Sequence, residues 1–166
     1  MSEIYGILEN LPTRAVGPSV LAAPLAGTVV PLTEVSDAMF AGKMLGDGIA
    51  IEPTEGRLVS PCDGIVTGVF HTGHMVNIRS DDGCKILLHI GIDTVKLDGR
   101  FFSAIARAGD RVRKGDLLVH FDITGLRTAG YQLTAPMIIC NSDEYTAVTP
   151  VASGVVPAGE NMLDLR

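Results

Sequence analysis

The sequence predicts an all-β protein: an antiparallel β-sandwich or barrel with a duplicated motif and one or two short helical turns. Three observations carry that prediction. Nineteen glycines and nine prolines cut the chain at short intervals, and Val, Ile and Thr fill the segments between the cuts, as strands bounded by turns require. No strongly periodic segment reaches ordinary helix length. The chain also echoes itself, and repeated β units pack against each other because neither half alone buries its apolar side.

Strand-like runs fall at residues 27–32 (GTVVPL), 48–53 (GIAIEP), 64–70 (GIVTGVF), 74–79 (HMVNIR), 85–92 (KILLHIGI), 117–122 (LLVHFD) and 137–141 (MIICN). The best helical candidate is 101–109 (FFSAIARAG), where Phe101, Phe102 and Ile105 share a face and Gly109 supplies a stop. Residues 150–166 read as a closing turn and a last edge strand. Residues 1–18 lack these patterns and read as a loosely attached arm in which Ile4, Leu8 and Leu11 form a short amphipathic turn, leaving 19–166 as one domain. Two echoes suggest the duplication. Residues 23–32 (APLAGTVVPL) match 60–69 (SPCDGIVTGV), and 42–53 (GKMLGDGIAIEP) resemble 109–122 (GDRVRKGDLLVHFD).

Composition excludes several classes. Net charge is −6 over 166 residues, and the basic residues are scattered with no aromatic-plus-basic stripe, so nucleic acid is not an expected partner. Mean hydropathy is +0.32, yet no run of eighteen or more apolar residues exists to span a membrane. The N-terminus has no basic stretch followed by an apolar one, so it does not read as a signal peptide. Cys62, Cys84 and Cys140 are odd in number and contain no CxxC pair, which suits small buried thiols in a reducing cytoplasm.

Chemistry concentrates in residues 74–95 (HMVNIRSDDGCKILLHIGIDTV), which hold two of the four histidines. Asp81-Asp82-Gly83 between two strand-like runs predicts a hairpin. With a two-residue loop Val76 opposes His89, and His74 is a diagonal neighbour at about 7–8 Å. With a four-residue loop His74 opposes His89 directly at roughly 4.5–5.5 Å. Only an odd loop places them on opposite faces. Val76, Ile78 and Leu87 then share their face, and an apolar surface favours neutral imidazoles, the nucleophilic form. The hydroxyl of Thr72 is placed to fix the tautomer of His74.

Three chemistries compete for such a pair. A zinc site needs a third ligand and usually a fourth, and neither HxH nor HExxH spacing is present. Spacing alone therefore gives His74 and His89 no metal of their own. An ordinary semi-buried histidine pair is the second reading. A phosphoryl-accepting histidine with a helper is the third, since it needs one neutral imidazole and one hydrogen-bond donor. Spacing alone does not choose among them.

Residues 36–53 (SDAMFAGKMLGDGIAIEP), 72–102 (TGHMVNIRSDDGCKILLHIGIDTVKLDGRFF) and 109–122 resemble the glucose-family enzyme IIA component of the bacterial phosphoenolpyruvate-dependent sugar phosphotransferase system. The resemblance covers about residues 20–162. It implies an antiparallel β-sandwich with a duplicated hybrid motif. It also implies a cytoplasmic phosphocarrier that takes a phosphoryl group from the carrier protein HPr onto His89 and yields it to a cysteine of a sugar-specific IIB domain. His74 is implied as helper and Thr72 as the group that orients it, with no cofactor and no intrinsic metal. Gly73 departs from the usual Asn or Lys, and Met75-Val76 from the usual Ala-Phe or Ala-Ile. A docking rim of Met39, Phe40, Leu45, Phe70, Ile90 and Val95 is expected around the histidines, with Asp37, Asp47 and Asp93 facing basic groups of the carrier.

Other classes fit less well. A lysostaphin-like zinc peptidase needs an HxH strand. A lipoyl or biotinyl carrier, which the Pro-x-x-Gly-x-Val echo suggests, needs a lysine at a hairpin tip, and Lys43 is a weak candidate for it. A regulatory protein that binds other proteins when unphosphorylated is the alternative within the family, and the resemblance implies that His74 and His89 would hold a metal only with a ligand supplied by such a partner.

Overall fold

The computed structural model describes residues 16–166. Residues 1–15, with Ile4, Leu8 and Leu11 of the predicted arm, lie outside the described residues. At the other end of that arm, Val16 packs against the main core and the Gly17 N–H donates to the Asp82 carbonyl at 2.9 Å.

The chain runs through β1 (Ser19–Ala22), β2 (Gly27–Pro31), α1 (Ala38–Ala41), β3 (Asp47–Pro53) and β4 (Arg57–Val59). A continuous stretch follows: β5 (Gly64–Val69), β6 (Met75–Ser80), β7 (Lys85–His89), β8 (Phe102–Ala104), β9 (Arg111–Val112) and β10 (Leu117–Phe121). The remainder is α2 (Ile123–Thr128), β11 (Ala135–Ile139), β12 (Val148–Pro150), β13 (Val155–Val156) and β14 (Asn161–Leu165). Among the described residues every strand pair is antiparallel. Eight strands form one sheet in the order β13-β2-β3-β11-β7-β6-β5-β9, and two three-stranded sheets, β1-β14-β12 and β4-β10-β8, complete the fold.

That order is symmetric about the β11–β7 pair. β2 and β5 stand second from opposite edges, so the first echo marks equivalent strands. The second echo does not, because β3 lies in the large sheet and β10 in a small one. The counterpart of β10 is β14, each being central in its three-stranded sheet. Matching hydrogen bonds fix the equivalence: Ala23 N–H to Glu160 C=O at 2.7 Å answers Ser60 N–H to Asp116 C=O at 2.8 Å. One half is contiguous (β4 to β10), and the other is split around it. The terminal strand is thus central, contrary to the edge position its sequence suggests.

Strand alternation sorts the apolar residues onto two faces. Ile49, Ile51, Ile86, Leu88, Met137 and Ile139 of the large sheet meet Leu58, Leu118, Phe121, Leu163 and Leu165 of the small sheets in the main core. Ala50, Met75, Leu87 and Ile138 point to the other face. There Leu32, Val35, Phe40 and Leu45 fold over them as a second, smaller core. The segment 101–109 is not helical. It contributes β8 and a loop, because Phe102 pairs with Phe121 and Ala104 with Val119 on β10, and cross-strand pairing outweighs a weak helical pattern. The helices instead start at Asp37 and Asp122, whose carboxylates accept the N–H groups of Met39 and Gly125, both at 2.9 Å.

Candidate functional site

The β6–β7 hairpin has an odd loop. Gly83 N–H bonds to Ser80 C=O at 3.0 Å, and Ser80 N–H to Cys84 C=O at 2.9 Å. This leaves Asp81, Asp82 and Gly83 outside the ladder. Gly83 has φ 90°, so this is a type I turn closed by a left-handed glycine and not a primed two-residue turn. Arg111 clamps the loop through both carboxylate oxygens of Asp81, at 2.7 and 2.6 Å. Met75 therefore opposes His89, and neither predicted register is the one adopted. Leu87 also leaves the face of Val76 and Ile78.

The histidines meet nonetheless, at the very end of the ladder, where the His74 carbonyl still accepts the Ile90 N–H at 2.8 Å. The Phe70–Gly73 turn, closed by Gly73 N–H to Phe70 C=O at 2.8 Å, frees it from strand alternation. The two rings stand edge-on, with centroids 5.0 Å apart and planes at 80°. Phe40 of α1 packs on His89 at 5.2 Å, and Phe70 meets the edge of His74 at 5.2 Å.

Each imidazole is held by one hydrogen bond. His89 Nδ1 lies 2.7 Å from the Gly91 carbonyl. A carbonyl only accepts, so Nδ1 carries the proton and the other ring nitrogen keeps its lone pair. Thr72, itself buried, places Oγ1 2.5 Å from His74 Nδ1. Both histidines are buried, at 1% and 9% exposure for His74 and His89. Burial pushes the His74 imidazole far below its ordinary range, to about 3, and the neighbouring His89 and His71 act in the same direction. Burial lowers His89 too, opposed by the Gly91 carbonyl and by Asp37 and Asp93. Both rings are neutral at physiological pH. Among the described residues no group of three His, Cys, Asp or Glu side chains gathers at metal-binding range.

An open depression of about 150 Å³ leads to the pair. Of the expected rim, Met39, Phe40, Leu45, Phe70, Asp93 and Val95 line it, as do Asp37 and Met75. Met39 and Val95 are the exposed apolar lips, at 42% and 47%, whereas Phe40 and Leu45 are buried walls. Ile90 does not belong to the rim. It is the next residue along from His89, points to the opposite face and is fully buried in the main core. Asp47 is also elsewhere, paired with Lys43 at 3.3 Å.

Two contributors escaped the sequence reading. Gly91 acts through its carbonyl. Gln132 acts through its backbone, accepting the Ile92 N–H at 3.0 Å, and through its side chain, accepting from Ser36 Oγ at 2.6 Å. A carbonyl role leaves no side-chain signal, although a glycine just past a strand end is a general cue for a special φ.

The antiparallel fold with a buried histidine pair at a sheet end finds its class in the known proteins. Residues 19–145 match the family described as phosphoenolpyruvate-dependent sugar phosphotransferase system, EIIA 1, and the chain belongs to that family. It is accordingly a phosphotransferase component of the glucose-family EIIA type. A beta-glucoside-specific EIIBCA component of Dickeya chrysanthemi is 49% identical over 151 residues, which are 91% of this chain and 24% of that protein. The chain spans about a quarter of the length of the beta-glucoside relatives it matches. A glucose-specific EIIA component of Oceanobacillus iheyensis is 41% identical over 143 residues, covering 86% of this chain and 87% of the relative. The glucose permease IIA from Mycoplasma capricolum superposes with a TM-score of 0.82 at 32% identity, covering 93% of this chain and all of that one. Among the described residues no helix is long and apolar enough to cross a membrane.

Proposed function

We propose that the chain is a cytoplasmic phosphocarrier in which His89 receives a phosphoryl group from phosphorylated HPr and passes it to a cysteine of a IIB domain. The observation that carries this reading is the Nδ1 bond of His89 to Gly91. It leaves the second ring nitrogen as a neutral nucleophile at the floor of an open depression. When that nitrogen attacks phosphorus, the bond to the donor nitrogen breaks and the donor ring recovers its lone pair. The Nδ1 proton of His89 stays in place, and the Gly91 carbonyl stabilises the positive charge that develops on the ring. Onward transfer breaks the new N–P bond as a cysteine thiolate attacks.

His74 is the donor to the phosphoryl oxygens. For that role Thr72 donates its hydroxyl proton to His74 Nδ1, so that the imidazole proton sits on the far nitrogen. Phosphoryl transfer of this kind is chiefly positioning plus stabilisation of equatorial oxygens, and two rings locked in apolar packing serve both needs. Met39 and Val95 are docking contacts, and Asp37 and Asp93 meet basic groups of the carrier. Partnership with a IIB domain is supported by relatives whose name joins the B, C and A components.

The test is incubation with phosphoenolpyruvate, enzyme I and HPr, followed by assay for an acid-labile, base-stable phosphate. Wild type is expected to label and His89→Ala not to. His74→Gln is expected to accept phosphate yet pass it to IIB roughly 10²–10³-fold more slowly, as for loss of one preorganised oxyanion donor. Labelling of His89→Ala would overturn the acceptor, and a wild type that never labels would leave regulatory binding as the better reading.

A further inference from the structure

The turn that carries His74 rests on a strained segment, 98–102. Asp98, Gly99 and Phe101 all have positive φ, at 50°, 89° and 77°. Such a conformation is an outlier for a residue as bulky as phenylalanine and persists only where surrounding contacts fix it. Those contacts are present. The Phe101 ring lies under the Arg100 guanidinium, 4.7 Å from its carbon to the ring centroid. It also lies so close over Gly125 of α2 that a Cβ there would overlap the ring. The Phe101 carbonyl accepts the Asp122 N–H at 2.9 Å.

The left-handed step lets adjacent residues pack on the same core. Phe101 and Phe102 both lie against the main core, which two neighbours in a regular strand do not do. Phe102 thereby stands against His74, with ring centroids 6.2 Å apart, and against Phe121 at 6.4 Å. It also backs the turn itself, since a Cβ built on Gly73 would stand 3.2 Å from the Phe102 Cβ.

We infer that Phe102 is a positioning residue for His74, set in place by the left-handed Phe101 and its seat on Gly125. This rests on the helper role given to His74 above. Thr72 fixes only one atom of the His74 ring, so its tilt toward His89 depends on packing. Phe70 contacts it from one side and Phe102 from another. Without Phe102 the imidazole is free to rock into the vacated space, away from the phosphoryl oxygens. His89 has its own bond to Gly91 and does not depend on Phe102, so the two transfer steps are affected unequally.

The experiment compares Phe102→Leu, Phe102→Tyr and Gly125→Ala with wild type in full relay from phosphoenolpyruvate to a IIB acceptor, alongside an NMR titration of His74. Phe102→Leu is expected to label at His89 within about twofold of wild type but to lose roughly tenfold or more in onward kcat, with little change in KM for IIB. Its His74 ring is expected to titrate at higher pH, as a loosened ring gains water. Phe102→Tyr, which keeps the ring, is expected to match wild type in both readouts. Gly125→Ala is remote from the histidines, acts by displacing Phe101, and should reproduce the Leu signature. It also decides the matter should Phe102→Leu fail to fold. Wild-type onward kcat together with an unchanged His74 titration in the folded variants would overturn the assignment. If wild type itself relays nothing, the carrier reading falls, while the titration still tests the packing of His74.

Discussion

The imidazole of His89 is tied by Nδ1 to the carbonyl of Gly91, two residues ahead, at 2.7 Å. That bond exists because the chain turns left-handed as it leaves β7, with φ 76° at Gly91. A side chain there would press on Thr94 Cγ2 at 2.7 Å and on the Gln132 carbonyl at 2.9 Å. Gly91→Ala therefore meets both backbone strain and a clash, and is expected to cost about 1–3 kcal/mol of stability. The functional consequence is more specific. With the carbonyl displaced, the Nδ1-protonated tautomer of His89 loses its support and phosphoryl acceptance slows. Nitrogen NMR of the ring and the rate of labelling check this together. A variant that labels at the wild-type rate with one tautomer still dominant would remove the proposed role of Gly91.

Acid should expose the cost of burying neutral imidazoles. His74 is held at about 3 by burial first and by nearby histidines second, against an ordinary 6.5. Between those values the unfolded chain binds a proton at His74 that the folded chain refuses. Stability is therefore complete above about pH 6.5 and falls on acidification by about 1.4 kcal/mol per pH unit. His89, also lowered, adds in the same direction. Urea unfolding at pH 7 and pH 4.5 measures the slope, and His74→Gln is expected to make it shallower. Equal slopes for wild type and variant would show that His74 is not held neutral by the fold.

Side-chain chemistry was the legible part of this protein, and backbone geometry the illegible part. Thr72, His74 and His89 are visible as rare polar residues among strand-forming ones, and they converge. The hairpin between them is ambiguous in sequence because Asp82-Gly83 fits a primed turn as well as the type I turn with a left-handed Gly83 that the chain adopts. The rings meet for a reason outside ladder arithmetic, namely the Gly73 turn. Ile90 follows His89 directly and so points to the opposite face in any register, which strand alternation alone makes legible. Phe101 and Phe102 mimicked a helical pattern because the left-handed step at Phe101 puts neighbours on the same core. The duplication was legible at β2 and β5. Its second half was not, since residues 153–165 match 109–121 only in spacing, as a Val, then a Gly followed by an acid, then an apolar run.

The two sides of the depression are joined by the pair Ser36 and Gln132. Gln132 steadies the turn after β7 through its carbonyl, and its side chain accepts from Ser36 Oγ at 2.6 Å. Ser36 in turn precedes Asp37, which caps the helix bearing Met39 and Phe40. Losing this exposed bond is expected to cost only about 0.5–1.5 kcal/mol of stability, yet it frees the lip proposed to meet the carrier. Ser36→Ala and Gln132→Ala should each raise KM for phosphorylated HPr a few-fold, leaving kcat nearly unchanged, because the Gln132 carbonyl remains in place in both. The double variant separates a shared link from two unrelated effects. If the bond is what matters, the double variant is no worse than either single one, with a coupling energy of about 0.5 kcal/mol or more. Simple addition of the two effects would mean that each residue acts alone and that the lip is held by α1 without help from Gln132.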